Sequence, residues 1–526
     1  MNDVYTAELP ELNARPAPKG LRLAAIITGL LGFVLFLDTP FLPVTQTQSS
    51  FDWPANDSLN SVTAPLISVS PEEIDAAIPV AAIDMLREGQ DMLYGTVPPE
   101  SEEASNRGMF VRAGEDGLSV ISLDEVVLSL SAEQVSQLND DDVLTINAVE
   151  DGTTVSVGDF TEESEDDLRP QVVGVFTEIE DTPQNLAQLS DAGLNVHVEI
   201  NSRFTSSPST IKLVAMIGGA VMMLAALVCI ARMDRLDGKK ISFMPATWKQ
   251  VRPLDGVVSA ILAFWHIFGS NTSDDGFILT MGRVKEHSTY MANYYRWYGV
   301  PEAPFGTPYY DLVAFLSNIS ATSVFMRIPT LIAAILTWFI LSREILPRFG
   351  PVINDRRVAH WTAAFMFLAF WLPYNNGIRP APIVAFGVVF TWASFERSIA
   401  TSRMLPAAIG TIAATLTLTA GPTGLLAVGV FLVSLPALFS IFSRRKESVG
   451  GWMPLIASFL AVGTSVLALV FSDQTLATVL ESTRVRSAVG PSLNWYDEYV
   501  RYTTLFEGSV DGSLTRRFAM FTMLFA

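Results

Sequence analysis

The sequence predicts a multi-span α-helical membrane protein that carries an extracytoplasmic β-sandwich domain between its first two spans. Three observations support this. Of 526 residues, 49% are hydrophobic and only 17% are charged, with a mean hydropathy of +0.34, too apolar for a soluble chain of this size. Apolar runs recur along the chain, and alternate loops between them are basic. The net charge of −20 is unevenly placed: residues 45–208 hold 32 Asp and Glu against five Arg and no Lys, a net of −27, so the remainder is mildly basic. With no basic stripe to track a polyanion, nucleic-acid binding is disfavoured.

Residues 1–20 are expected as a cytoplasmic N-terminus and 21–42 as the first span. That run follows Arg15 and Lys19 and includes Arg22. A cleaved signal peptide is the alternative, but the run is long, carries Asp38 near its end and lacks an Ala-x-Ala exit, which favours an uncleaved anchor. Residues 43–208 form the β-rich domain. The stretches 118–123, 143–149, 154–157, 172–176 and 196–200 alternate with the period of strands and are separated by Asp, Gly and Asn turns. The acidic run Glu162–Asp167 matches no calcium loop in glycine and ligand spacing and reads as a solvated charge run.

Residues 209–526 make up the membrane region. The apolar run Ile211–Ala231 is followed by Arg232, Arg235, Lys239, Lys240, Lys249 and Arg252, which the positive-inside bias places in the cytoplasm. The run Val257–Gly269 returns the chain to the outer face at Asn271. Later spans agree with this count: basic loops follow the runs ending near Ile340, Phe395 and Ile441, while the turns at Asn375–Gly377 and Gly421–Pro422 carry few charges, Arg379 excepted. After the span Trp452–Phe471, a polar loop from Asp473 to Leu514 is expected outside. Arg516 and Arg517 then open an apolar run of about ten residues, short of the roughly 20 a span needs. The chain therefore reads as part of a longer one. Cys229 lies in an apolar run and founds no disulfide framework, and the four histidines show no zinc-ligand spacing.

This topology sets Asp274 and Asp275, in the run Asn271–Gly276, at the outer end of a span. Carboxylates at that depth are costly unless they act. Around them lie Tyr290, Tyr294, Tyr295, Trp297, Tyr298, Tyr309 and Tyr310, together with Glu302, His287, Arg283 and Arg296. An interfacial aromatic belt explains some of the rings but does not call for the charges. Aromatic faces with carboxylates suit carbohydrate, a carboxylate beside a hydroxyl can act as a general base, and the Arg379 fork at a second outer turn matches phosphate oxygens. Together they suggest glycosyl transfer from a lipid-linked phosphosugar. The pair by itself is a weak signal, since such acids often cap helices. A proton-coupled transporter is a further reading, although its acids usually lie at mid-depth.

At these residues the chain resembles the actinobacterial cell-wall arabinosyltransferases, the Emb family targeted by ethambutol, which are GT-C-type membrane glycosyltransferases. The matching stretches are Asn271–Leu279, Tyr294–Tyr298, Pro301–Gly306, Leu341–Arg348, Asn375–Pro380 and Val489–Asp497. The resemblance implies transfer of D-arabinofuranose from decaprenyl-phosphoryl-arabinose to a growing arabinan of arabinogalactan or lipoarabinomannan, with inversion, at the outer face of the plasma membrane. It implies Asp274 as the general base and Asp275 as a supporting acid that binds hydroxyls. Glu302 and Tyr310 match positions lining the acceptor and drug pocket. His287 is a weaker candidate, with a structural role as the alternative, and Asn376 belongs to the same substrate-binding set. Arg379 for the donor phosphate is a physical inference rather than a family assignment. Ala381 stands where the family usually has Glu, so any role of that acid is missing. Family members run to about twice this length, so the chain alone is expected to be inactive. Expected partners are the lipid donor, the arabinan acceptor, the bilayer and a homo- or heterodimeric Emb-type subunit. No dedicated metal cage is visible, and a divalent cation on the donor phosphate stays open. A non-catalytic scaffold subunit and a GT-C transferase for another lipid-linked sugar are the alternatives.

The topology is directly testable. A cysteine introduced as Thr272→Cys should react with membrane-impermeant maleimide from the extracytoplasmic side, and labelling only from the cytoplasmic side would overturn the count.

Overall fold

The computed structural model describes residues 15–46, 50–55, 57–60, 62–63, 71–101, 104–200, 206–238, 246–250, 252–269, 274–288, 307–374 and 376–489. The chain divides into two compact units, one of residues 1–45, 207–286 and 302–526, the other of 46–206 with 287–301.

The first unit is helical, and its principal helices are α1 (Lys19–Asp38), α2 (Thr210–Asp234), α3 (Pro253–Phe268), α4 (Asp275–Ser288), α5 (Thr307–Ser317), α6 (Ile328–Ile340), α7 (Arg357–Tyr374), α8 (Ala381–Thr401), α9 (Met404–Ala420), α10 (Leu425–Val449), α11 (Met453–Val470) and α12 (Leu476–Val489). Among the described residues, six helical stretches are long and apolar enough to cross a membrane: Lys19–Phe41, Thr210–Asp237, Ser323–Phe349, Ala381–Thr401, Pro422–Val449 and Met453–Val470. Pro253–Phe268 and Met404–Ala420 are apolar but shorter. At about 1.5 Å per residue, α3 reaches about 24 Å, close to but below a hydrocarbon core of about 30 Å.

Local chemistry sets the helix ends. Ser209 caps α2 by accepting the Lys212 amide, and α3 starts at Pro253, where Asp255 accepts the Arg252 amide at 2.9 Å. The expected span Val257–Gly269 is thus the C-terminal part of a helix that begins earlier. The polar stretch expected as a loop after Asp473 instead holds α12, because Leu476 and Val479 pack on Leu467, Val470 and Phe471. The chain beyond 489 lies outside the described residues.

Helices approach closely through small residues, as expected where lipid supplies no hydrophobic drive for association. Ala25, Gly29 and Gly32 of α1 are buried, and a Cβ at Gly29 would collide with the backbone of Ala457 in α11. Gly219 of α2 leaves room for the Phe36 ring, and Gly410 of α9 for Phe395 of α8. Leu23, Ile27, Leu31 and Val34 of α1, with Ile211, Val214, Val221 and Val228 of α2, remain exposed as lipid-facing surface.

Buried charges meet at the helix ends that carry the basic loops. Asp255 accepts Arg343 at 2.5 Å and the Trp338 indole at 2.9 Å, tying α3 to α6, and the Arg343 guanidinium lies 4.4 Å from the centre of the Phe339 ring. Asp234 accepts the amides of Met404 and Leu405, while Arg403 pairs with Asp237 at 3.0 Å, tying α2 to α9. A buried pair is tolerable because each partner satisfies the other, and removing one would leave an uncompensated charge.

The second unit is β-rich. Its strands are β1 (Ser50–Trp53), β2 (Val62–Thr63), β3 (Pro71–Pro79), β4 (Met92–Gly95), β5 (Met109–Gly114), β6 (Gly117–Ser122), β7 (Glu125–Ser131), β8 (Val143–Val149), β9 (Gly152–Val157), β10 (Phe160–Ser164), β11 (Gly174–Val175) and β12 (Asn195–Ile200). They form an antiparallel six-stranded sheet in the order β10-β9-β8-β3-β12-β1, a four-stranded meander β4-β5-β6-β7, and the small pair β11-β2. Alternating side chains are buried: Ile74, Ala76 and Ile78 on β3, Leu144, Ile146 and Ala148 on β8, and Leu118 and Val120 on β6.

Four expected strands appear at β6, β8, β9 and β12, whereas the one at 172–176 shrinks to Gly174–Val175. The pattern missed β3, whose Glu, Asp, Ala and Pro residues favour no strand. Pairing with β8 on one side and β12 on the other imposes its conformation. The acidic run is partly the edge strand β10, and charge on a sheet edge discourages pairing with other chains. Its last residue, Asp167, holds Arg169 through two 2.8 Å contacts, and that hydrogen bonding keeps the carboxyl below the usual carboxylate range.

Gly29 offers a test of the α1–α11 contact. Gly29→Leu should destabilise the helical unit by about 1–3 kcal/mol, as overpacking does. Gly20→Leu, where an added Cβ meets nothing within 4 Å, should be silent. Thermal melting followed by size-exclusion fluorescence distinguishes the two, and equal melting temperatures would refute the packing.

Candidate active site

The site assembles where α3 ends, α4 begins and the turn 376–380 joins α7 to α8. Asp275 is the first residue of α4, and the Asp274 carbonyl accepts the Ile278 amide, so the two acids open the helix. The helix N-terminus favours negative charge there. Asp275 is only 9% exposed, a costly position for a carboxylate unless it is bonded. Its Oδ1 accepts the Ile378 amide of the turn at 3.0 Å.

The Ile378 carbonyl is held too. Tyr309, buried at the start of α5, donates its hydroxyl to that oxygen at 2.5 Å. Burial first, and the Asp275 charge second, push the Tyr309 phenol above its ordinary value, so it remains a proton donor. The turn is therefore gripped through both polar groups of one residue. The next residue, Arg379, extends Nη2 to Asp274 Oδ2 at 2.6 Å, with both side chains partly exposed.

Further contacts fix the floor. The side-chain amide of Asn376 lies against Gly269 so closely that a Cβ there would overlap it. The Trp265 indole donates to the Leu372 carbonyl at 3.0 Å, and the buried Arg327 donates to the Gly269 carbonyl at 2.9 Å. By contrast, a Cβ at Gly276 would meet nothing within 4 Å among the described residues.

Of the residues expected in the site, Asp274, Asp275, Asn376 and Arg379 come together at this turn. Tyr310 is buried on α5 beside Tyr309, with ring centroids 6.1 Å apart. Glu302 lies outside the described residues, as do Tyr290, Tyr294, Tyr295, Trp297 and Tyr298. His287 falls within α4, but its side chain lies outside the described residues. Among the described residues no group of three or more His, Cys, Asp or Glu is placed to hold a metal ion.

Sequence reasoning missed the tasks of Tyr309, Trp265 and Arg327. Arg327 had a readable signal, since an arginine just before an apolar run at the end lacking basic loops goes against the charge bias. Chemically, the arrangement offers a partly exposed carboxylate beside a guanidinium, both on rigidly held backbone. That combination suits a proton acceptor next to an oxyanion site.

Comparisons with known proteins bear on both units. The family described as mycobacterial cell wall arabinan synthesis protein matches residues 207–526, and an arabinosyltransferase concanavalin-like domain matches residues 45–203. Probable arabinosyltransferase C of Mycolicibacterium smegmatis is 44% identical over 96% of this chain and 48% of its own length. Probable arabinosyltransferase B of the same organism is 41% identical over 95% and 46%. The cryo-EM structure of arabinosyltransferase EmbB from Mycobacterium smegmatis aligns with a TM-score of 0.70 and 39% identity, covering 96% of this chain and 50% of that one. The chain spans about half the length of the curated relatives it matches.

The grip on the turn is testable through Tyr309→Phe, which removes one hydroxyl and leaves the buried Ile378 carbonyl unsatisfied, at a cost of about 1–3 kcal/mol. Hydrogen exchange of the Ile378 amide should accelerate correspondingly, and unchanged exchange would show that Tyr309 does not hold the turn.

Proposed function

The chain belongs to the family of mycobacterial cell-wall arabinan synthesis proteins, multi-pass membrane glycosyltransferases of the GT-C type, and on that premise we propose that its acid–arginine site serves transfer of D-arabinofuranose from decaprenyl-phosphoryl-arabinose to a growing arabinan. The site is assigned to the extracytoplasmic face, a reading supported by the basic loops at the opposite helix ends. Since the chain spans about half the length of its relatives, the activity is proposed for the full-length protein.

The observation that carries the reading is the 2.6 Å pair of Asp274 and Arg379 beside the buried Asp275. In the proposed reaction the donor phosphate takes the Arg379 guanidinium, whose planar fork matches its oxygens, and this releases the Asp274 carboxylate. Asp274 then accepts the proton of an acceptor hydroxyl as that oxygen bonds to the anomeric carbon. The bond from that carbon to the phosphate oxygen breaks, both electrons leave with the polyprenyl phosphate, and configuration inverts. Asp275 keeps the turn in place and so acts as a positioning residue. Glu302, Tyr310, His287 and Asn376 are proposed as contributors to acceptor binding, and a divalent cation on the donor phosphate is compatible with this chemistry without being required by it.

In the full-length protein, Asp274→Asn should lower transfer from the lipid donor in membranes about 10²–10⁴-fold, the usual worth of a general base, while donor binding persists. Arg379→Gln should instead raise the donor KM. Unchanged transfer by Asp274→Asn would refute the base assignment.

A further inference from the structure

At the helix ends opposite the acid pair, a cavity of about 310 Å³ opens among α2, α6, α8 and α9. Its lining carries the guanidinium groups of Arg235, Arg397 and Arg403 with the carboxylates of Asp234 and Glu344, and Arg235 is the exposed one among them. Each acid also has a cation outside the cavity lining, Arg445 at 3.5 Å from Asp234 and Arg348 at 3.6 Å from Glu344, though Arg445 is shared with Asp237 and Arg348 with Glu396 at 2.9 Å; the five arginines here still outnumber the four acids. The two acids also accept hydrogen bonds, Asp234 from the Met404 and Leu405 amides and Glu344 from the Trp248 indole at 2.9 Å. Arg403 is answered by Asp237, and Arg397 lies in the fields of both Glu344 and the like-charged Arg348. Arg235 is exposed and makes no side-chain hydrogen bond or ion pair among the described residues. The lining therefore retains positive charge.

A second cavity, of about 440 Å³, lies along the same two helices, α8 and α9, and is lined almost wholly by apolar side chains from Ile383 to Phe390 and from Ile409 to Leu416. The two cavities share Phe390 and Ile409 in their linings, so they are neighbours along α8 and α9. From Arg397 to Ile383 is 14 residues of helix, about 21 Å at 1.5 Å per residue. That exceeds the roughly 15 Å of one leaflet of the hydrocarbon core.

We propose that this composite groove is a binding site for an anionic phospholipid, whose phosphodiester sits at Arg235 and Arg397 while one acyl chain lies in the slot between α8 and α9. A phosphodiester carries one negative charge and two free oxygens, which suits a guanidinium-lined opening. The head lies at the end away from the acid pair, so this lipid is distinct from the proposed sugar donor. The leaflet assignment, cytoplasmic, rests on the sidedness proposed above; the site itself does not.

The purified protein, stripped of lipid and then incubated with phosphatidylglycerol or phosphatidylcholine vesicles, can be examined by native mass spectrometry. Phosphatidylglycerol should be retained about tenfold more than phosphatidylcholine. Arg235→Gln, at an exposed position, should abolish most of that preference, and Ile409→Trp, which adds bulk to the lining that the two cavities share, should reduce retention with Arg235 intact. Equal retention of the two lipids, or full retention by Arg235→Gln, overturns the proposal. So does inorganic phosphate that raises thermal stability as much as phosphatidylglycerol does, since it would mark a phosphate site without a lipid tail. Maleimide labelling of Thr272→Cys reports on sidedness separately, so a wrong leaflet and an absent site are distinguishable.

Discussion

Ile378 sits in the break between two apolar helices, and both its peptide groups are bonded by side chains: the amide by Asp275 and the carbonyl by Tyr309. Where little water is available, a helix break survives only if its polar backbone groups find partners within the protein. That requirement brings Asp275 and Tyr309 to the turn. Once Ile378 is fixed, Arg379 has little freedom, and its reach to Asp274 follows. The proposed chemistry therefore rests on a backbone constraint more than on an attraction between two partly exposed charges, which alone would be worth about 1 kcal/mol.

Elements distant from the turn support it in a definite way. The buried Asp255–Arg343 pair joins α3 to α6 near one end, while Arg327 bonds the Gly269 carbonyl near the other. Two helices pinned at both ends keep the floor beneath Asn376 and Leu372 in one geometry. Close glycine contacts, as between α1 and α11, perform the same service farther away. The polar clusters at the basic-loop ends also create the charged mouth proposed for lipid, so one set of residues brackets the helices and shapes that groove.

Much of the membrane architecture was legible because its cause is simple: apolar length and loop charge are both local in sequence. Asp274, Asp275, Asn376 and Arg379 could be assigned to one membrane face by counting spans, and the structure brings them together at one turn. What could not be read was which of two adjacent tyrosines faces that turn. The answer depends on the rotational phase of α5, which packing sets and composition does not. Similarly, β3 reads as non-strand until its two neighbours are present, and α12 reads as loop until α11 offers an apolar surface. Glu302 and the tyrosines of 290–298 belong to the part of the expected site that lies outside the described residues.

The central claim is that donor phosphate and Asp274 compete for Arg379. A cryo-EM structure of the full-length protein with a phosphonate analogue of polyprenyl-phosphoryl-arabinose tests it most directly. The account predicts phosphonate oxygens within hydrogen-bond distance of the Arg379 guanidinium, with the 2.6 Å contact to Asp274 broken and the Asp274 carboxylate turned to the anomeric side of the sugar. A bound analogue whose phosphonate lies elsewhere, with the Asp274–Arg379 pair intact, would contradict it.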